Sequence, residues 1–268
     1  MKSVTMLNRS IQSLGLLAVG VSFIAGISLN TVQAQPAEFA PFEVEYQVGN
    51  NHINAGSALL QLKKNGNKWT YSLKTKPTGV FKLTGKGKIE EISEFTVSNA
   101  TDSLELKPTR YTYRQDKETR RSVDAWFDWS KNQLTYKRRG EEANESITGP
   151  LLDRLSVTLA VIDLLQREGF EETRLDVFDN GRVKTMLFTN EGVESVKTRM
   201  GNLETIRVRS AAVGGGTRHT TTWFAPALGY LPVKIEQFKR EKLVARLKLS
   251  TLRNRITEGG GAKAYSKK

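Results

Sequence analysis

The chain has 268 residues, no cysteine and only two histidines. The first absence excludes disulfides, thiolate nucleophiles, iron–sulfur clusters, Cys-ligated zinc and a lipid-modified N-terminal cysteine. Two imidazoles are too few for a three-His metal centre. Acidic residues are also scarce: 28 Asp and Glu stand against 41 Lys and Arg, a formal net charge of +13. Long apolar runs are missing except at the N-terminus. With 38% hydrophobic and 26% charged residues, the composition is that of a folded domain, not a disordered chain.

The exception is an export signal in form. Lys2 and Arg9 are the only charges before Glu38, and an uncharged apolar stretch runs from Ile11 to Leu29. Val32 and Ala34 supply the small residues of a cleavage site. The reading is a signal peptide over 1–34, a β-rich domain over 35–256 and a disordered basic tail over 257–268. An uncleaved anchor is the alternative, because the apolar stretch approaches spanning length. No later stretch is apolar enough to span, so cleavage leaves no transmembrane segment. The expected location is the periplasm.

Period-two alternation recurs along the rest of the chain. Phe42, Val44, Tyr46 and Val48 alternate with Glu43, Glu45 and Gln47. The same rhythm appears around Trp69–Leu73, Val123–Trp129, Ile206–Arg209 and Leu243–Leu249. Strands of this kind bury one face and wet the other, which implies antiparallel sheet. Turn residues punctuate them at Asn65-Gly66-Asn67, Asp179-Asn180-Gly181 and Gly214-Gly215-Gly216. One segment changes period. Leu155, Leu159, Ile162 and Leu165 predict a helix over about 153–167, with Asp153 as N-cap and Gly169 as C-cap. The fold class is therefore mainly β: one strongly curved antiparallel sheet or open barrel, with one packed helix.

The basic excess is uneven. Residues 35–181 hold 21 basic and 22 acidic side chains, whereas residues 182–268 hold 18 and 6. Arg207, Arg209, Arg246 and Lys248 fall on the polar faces of predicted strands, where neighbouring strands would merge them into a basic patch. Such a patch suits an anionic lipid, glycolipid or polysaccharide. The plainer reading is a solvated face. No nucleic-acid partner is expected: no aromatic-rich RNA-binding signature is present.

No catalytic constellation emerges. His52 sits near a turn and His219 on a Thr-rich strand, and there is no Gly-x-Ser-x-Gly elbow. The carboxylate clusters Glu90-Glu91-Glu94 and Glu141-Glu142-Glu145 read as exposed edges and loops. Asp124 and Asp128 flank Trp126 on one strand and offer a weak sugar-platform reading. Asp176, Asp179 and Asn180 imitate the start of a calcium loop without its remaining ligands, so no metal is expected. Gly85-Lys86-Gly87 lacks the third glycine of a dinucleotide site, so no cofactor is expected.

An ordered set of short motifs adds a resemblance. It comprises Tyr46-x-Val48 with Gly56, Ile92-Ser93-Glu94-Phe95, Leu106-Lys107-Pro108 and Trp126-Phe127-Asp128. Leu152-Asp153-Arg154-Leu155-Ser156, Asp176-Val177-Phe178-Asp179 with Gly181, Glu194 with Thr198 and Gly201, and Trp223 through Gly229-Tyr230-Leu231-Pro232-Val233 complete it. This order resembles the exported bacterial proteins grouped as domain of unknown function 3108. The resemblance implies no biochemical activity and no catalytic residue. The strand–turn–strand around Trp223, Pro232 and Ile235 also resembles periplasmic lipoprotein carriers, which implies an incomplete barrel with an apolar lining.

Together these readings lead to a non-enzymatic exported protein. It would bind or carry an amphipathic, anionic envelope component, or support envelope assembly, with Arg207, Arg209, Arg246, Lys248 and Trp223 as the binding region. An envelope polysaccharide enzyme and an adaptor that pairs through exposed strand edges are the alternatives.

Overall fold

The computed structural model describes residues 39–50, 53–79, 87–100, 103–116, 118–167 and 169–255. The expected signal peptide, His52 and the tail beyond residue 256 lie outside the described residues.

Alternating sequence becomes strand almost throughout. The first half of the sheet comprises β1 (Phe42–Gly49), β2 (Asn54–Asn65), β3 (Lys68–Pro77), β4 (Ile89–Ala100), β5 (Ser103–Gln115), β6 (Val123–Asp128), β7 (Gln133–Arg138) and β8 (Glu141–Ser146). After β9 (Leu151–Asp153) and the helix α1 (Val157–Arg167), the second half comprises β10 (Glu172–Phe178), β11 (Val183–Thr198), β12 (Gly201–Ala212), β13 (Arg218–Ala225), β14 (Leu231–Lys239) and β15 (Lys242–Arg255). All fifteen join one sheet in the order β8-β7-β6-β5-β4-β3-β2-β1-β15-β14-β13-β12-β11-β10-β9. Each half is a meander, and the β1–β15 pairing splices them. The two sheet ends, β8 and β9, are sequence neighbours but do not pair, so the barrel is open.

The core follows the alternation. Val44 lies opposite Leu60, Tyr46 opposite Ala58, and Leu62 opposite Tyr71; all six are buried. The Tyr46 hydroxyl donates to the Pro232 carbonyl at 2.6 Å, which satisfies a buried polar group across the splice. Two-residue turns close several hairpins. At Asn180-Gly181 both central residues have positive φ (53° and 75°), the geometry that Asn-Gly favours.

Two expectations need correction. The helix begins at Val157, not near Asp153. Leu151–Asp153 instead pair in parallel with Asp176–Phe178, the one parallel pairing among the described strands. Burying Leu151 and Leu152 requires their backbone to be satisfied in the sheet, so the helix starts later. Asp153 still organises the helix start from outside: its Oδ1 accepts the Leu155 and Ser156 N–H groups, both at 2.8 Å. At the other end Gly169, with φ of 69°, donates its N–H to the Leu164 carbonyl as the expected cap. Val157, Leu159, Val161, Ile162 and Leu165 are buried, and the helix lies beside β5.

The second correction concerns Glu91, which is not on an exposed edge. It is 2% exposed, in phase with Ser93 and Phe95 on the core side of β4.

Candidate functional site

The sheet curls until its two halves meet, and the meeting line is held by one aromatic cluster and one polar network. Phe178, at the end of β10, is fully buried against Tyr111, Phe127 and Tyr136 of β5, β6 and β7, at centroid distances of 6.2, 6.2 and 5.2 Å. The Tyr111 and Phe127 contacts are edge-to-face and the Tyr136 contact is tilted; such contacts add to the burial of the ring. Beside it, Arg154 grips Glu91 in a two-pronged pair, Nε to Oε1 at 2.9 Å and Nη2 to Oε2 at 2.5 Å. Tyr111 donates its hydroxyl to the same carboxylate at 2.8 Å. Ser93 donates to Asp153 Oδ2 at 2.5 Å. Burial pushes the Asp153 carboxyl up to about 6, against hydrogen bonds from Ser93, Ser156 and Leu155 that pull it down.

A pocket of about 480 Å³ opens above this seam. Its lining is drawn from both halves and is strongly basic. Arg120 and Arg121 come from the short 3-10 turn between β5 and β6, and Arg138 and Arg139 from the β7–β8 turn. Arg154 rises from the seam, Lys184 from β11 and Arg218 from the start of β13. Asp179 is the one carboxylate among the described lining residues.

These cations are not equivalent. Arg154 is committed to Glu91 and rests against the Tyr113 ring at 5.3 Å. Lys184 is paired with Asp179 at 2.8 Å, and Arg121 with Glu118 at 2.5 Å. Arg138 meets only a neutral partner, the side-chain oxygen of Asn180, at 3.0 Å. Among the described residues no carboxylate pairs with Arg120, Arg138, Arg139 or Arg218. Local backbone holds two of the groups in place. Gly181 packs so closely that an added Cβ would meet Arg138 Cδ at 2.8 Å. Arg139 sits at φ of 57° in a tight turn, a left-handed conformation that costs a non-glycine residue about 1–2 kcal/mol.

The region singled out from sequence assembles on one face of β12–β15. One row across the strands reads Arg207, Trp223, Lys234, Lys248, and the next reads Arg209, Thr221, Glu236, Arg246. Acids are interleaved there. Arg207 binds Glu191 at 2.8 Å and Glu194 at 3.2 Å, and Arg246 binds Glu236 at 2.6 Å. Trp223 is 4% exposed; its ring lies 3.5 Å beneath Lys234 Nζ, and its Nε1–H donates to Glu194 at 3.0 Å. The Trp223 and Arg207 hydrogen bonds hold the Glu194 carboxyl below its usual value. Ile235 pairs with Thr222 and so takes the opposite face from Trp223.

The other candidates are engaged elsewhere. Asp124 accepts both prongs of its contact from Arg114 Nη2 at 2.6 Å, while Asp128 caps the Ser130–Lys131 turn. They do not face one another across a cleft. His219 stacks on Phe238 at 4.7 Å. Asp176 accepts from Thr185, and Asp179 belongs to the pocket.

The pocket arginines carried a sequence signal that charge bookkeeping hid. Arg120-Arg121 and Arg138-Arg139 are adjacent pairs in the part of the chain with balanced charge. Glu91 could have been found from its phase with Phe95.

The architecture is that of an open, barrel-like curled sheet with a polar seam. The model of a family described as protein of unknown function (DUF3108) matches residues 42–240, and the chain belongs to that family. Every pocket residue falls within the matched segment, whereas Arg246 and Lys248 lie beyond it. Among solved structures the chain is similar to a beta-barrel-like protein of domain of unknown function DUF1849 from Brucella abortus. Identity is 13%, the TM-score is 0.52, and the match covers 80% of this chain and 98% of that one. The likeness concerns the fold alone. No curated protein matches the chain.

Proposed function

We propose that this is an exported, periplasmic, non-enzymatic protein that holds an anionic component of the cell envelope in the pocket over the seam. The observation that carries the reading is charge: seven cations surround about 480 Å³ of space with one lining carboxylate, itself tied to Lys184. Guanidinium groups are weakly hydrated and present a planar fork, so they favour phosphate and carboxylate ligands. The face on β12–β15 is the weaker candidate, because Arg207 and Arg246 already have carboxylate partners.

The non-enzymatic part rests on the same lining: arginines stay charged and accept no proton, Asp179 is tied to Lys184, and the Tyr111 hydroxyl to Glu91. An adaptor reading would use β8 as an open edge, but Glu141, Glu142 and Glu145 on that strand discourage strand addition.

The test is native mass spectrometry of protein recovered from the periplasm of cells expressing the full chain, followed by denaturing extraction. A stoichiometric anionic compound, lost when Arg139 and Arg218 are replaced, is the expected result. A bare polypeptide from several hosts would overturn it. The same spectrum reads the expected cleavage after Ala34 directly.

A further inference from the structure

We infer that the pocket takes a ligand bearing two linked phosphoryl groups, a diphosphate, in preference to a single carboxylate, sulfate or phosphate. The inference rests on the anion-binding reading above and names its ligand class. The argument is one of charge and space. Arg154, Lys184 and Arg121 are neutralised within the protein by Glu91, Asp179 and Glu118. Arg120, Arg138, Arg139 and Arg218 remain, arriving from three separate places around one cavity: the β5–β6 turn, the end of β7 with its turn, and the start of β13. A carboxylate or sulfate ester brings one negative charge and would leave most of that field unbalanced. A phosphate monoester carries about −1.5 to −2, and a second phosphoryl group raises the total further. Each phosphoryl group also offers oxygens to more than one guanidinium fork. The volume agrees: about 480 Å³ lies in the range of small-molecule sites, which admits a diphosphate and the first part of whatever it esterifies.

The backbone supports a clasp of this kind. Arg139 occupies a left-handed turn position that Asn would fill without strain, so the strained residue adds charge where local stability does not ask for it. Gly181 leaves room for Arg138 to lie flat against the β10–β11 turn.

The experiment is titration calorimetry at constant ionic strength, with protein purified from cells expressing the full chain. The probes are inorganic pyrophosphate, orthophosphate and glucuronate. Pyrophosphate is expected to bind at least tenfold more tightly than either of the others. Arg139→Asn, which produces the favoured Asn-Gly turn, and Arg218→Gln should each weaken it about tenfold, with the thermal midpoint raised by the first and kept by the second. Arg253→Gln, outside the pocket lining and paired with Glu45, should leave it unchanged. Equal affinity for all three probes, weakened alike by Arg139→Asn, would overturn the diphosphate inference and leave the anion-binding reading standing. No response of any probe to Arg139→Asn and Arg218→Gln would sink both. Farnesyl diphosphate and ADP then separate the sources: tighter binding of the former assigns a lipid-borne diphosphate, and of the latter a soluble nucleotide.

Discussion

Replacing Asp153 by Asn tests the seam at its most buried charge. Asp153 is fully buried, and its carboxyl titrates at about 6 instead of the ordinary 3.8. A shift of about two units is worth roughly 3 kcal/mol, at 1.36 kcal/mol per unit. The sign follows from proton binding. Between the two values the folded state holds a proton that the unfolded chain has lost, so this group's stabilising contribution is full below pH 4. It fades as pH rises through 6. The neighbouring cation brings no relief, because Arg154 is occupied by Glu91. The Asn side chain keeps an oxygen for the Leu155 and Ser156 N–H groups and offers Ser93 a donor, while removing the titration. Urea unfolding of both proteins at pH 4, 5, 6, 7 and 8 reads the difference in free energy. The wild type should lose roughly 2–2.5 kcal/mol relative to Asp153→Asn between pH 4 and 7 and change little above it. A difference independent of pH, or one that moves the other way, would refute the reasoning.

Three further outcomes follow from named contacts. Phe178→Ala should cost about 3–5 kcal/mol in chemical denaturation, since the ring is fully buried among three aromatics, and should loosen the pocket with it. Gly181→Ala forces a side chain into φ of 75° and against Arg138; a loss of about 1–2 kcal/mol is expected, together with weaker anion binding by calorimetry. Trp223→Phe keeps the ring under Lys234 but removes the indole donor, so the Glu194 carboxyl should titrate higher in an NMR pH series; an unmoved value would deny the hydrogen bond its role.

The sequence alone determined the strands, most turns, the existence of one helix and its C-terminal cap. These depend on free-energy terms confined to a few neighbouring residues: alternation for a half-buried strand, positive φ at Asn180-Gly181, and a change of period at Leu155–Leu165. Register then placed Arg207 and Lys248 in one row and Arg209 and Arg246 in the next, with Trp223 and Lys234 between the first pair. Only the tertiary structure decided which cations remain available. That depends on where the acids come to rest once the sheet curls. Arg154 finds Glu91 across 63 residues, and Arg207 finds Glu194 across 13. The same long-range closure put Asp153 in a strand before the helix, buried Glu91, and gathered Arg120, Arg121, Arg138, Arg139 and Arg154, from a stretch with no net basic excess, into one pocket with Lys184 and Arg218. Coulomb interactions act through space, so their balance at a site is written in the contacts of the fold and not in the order of the chain.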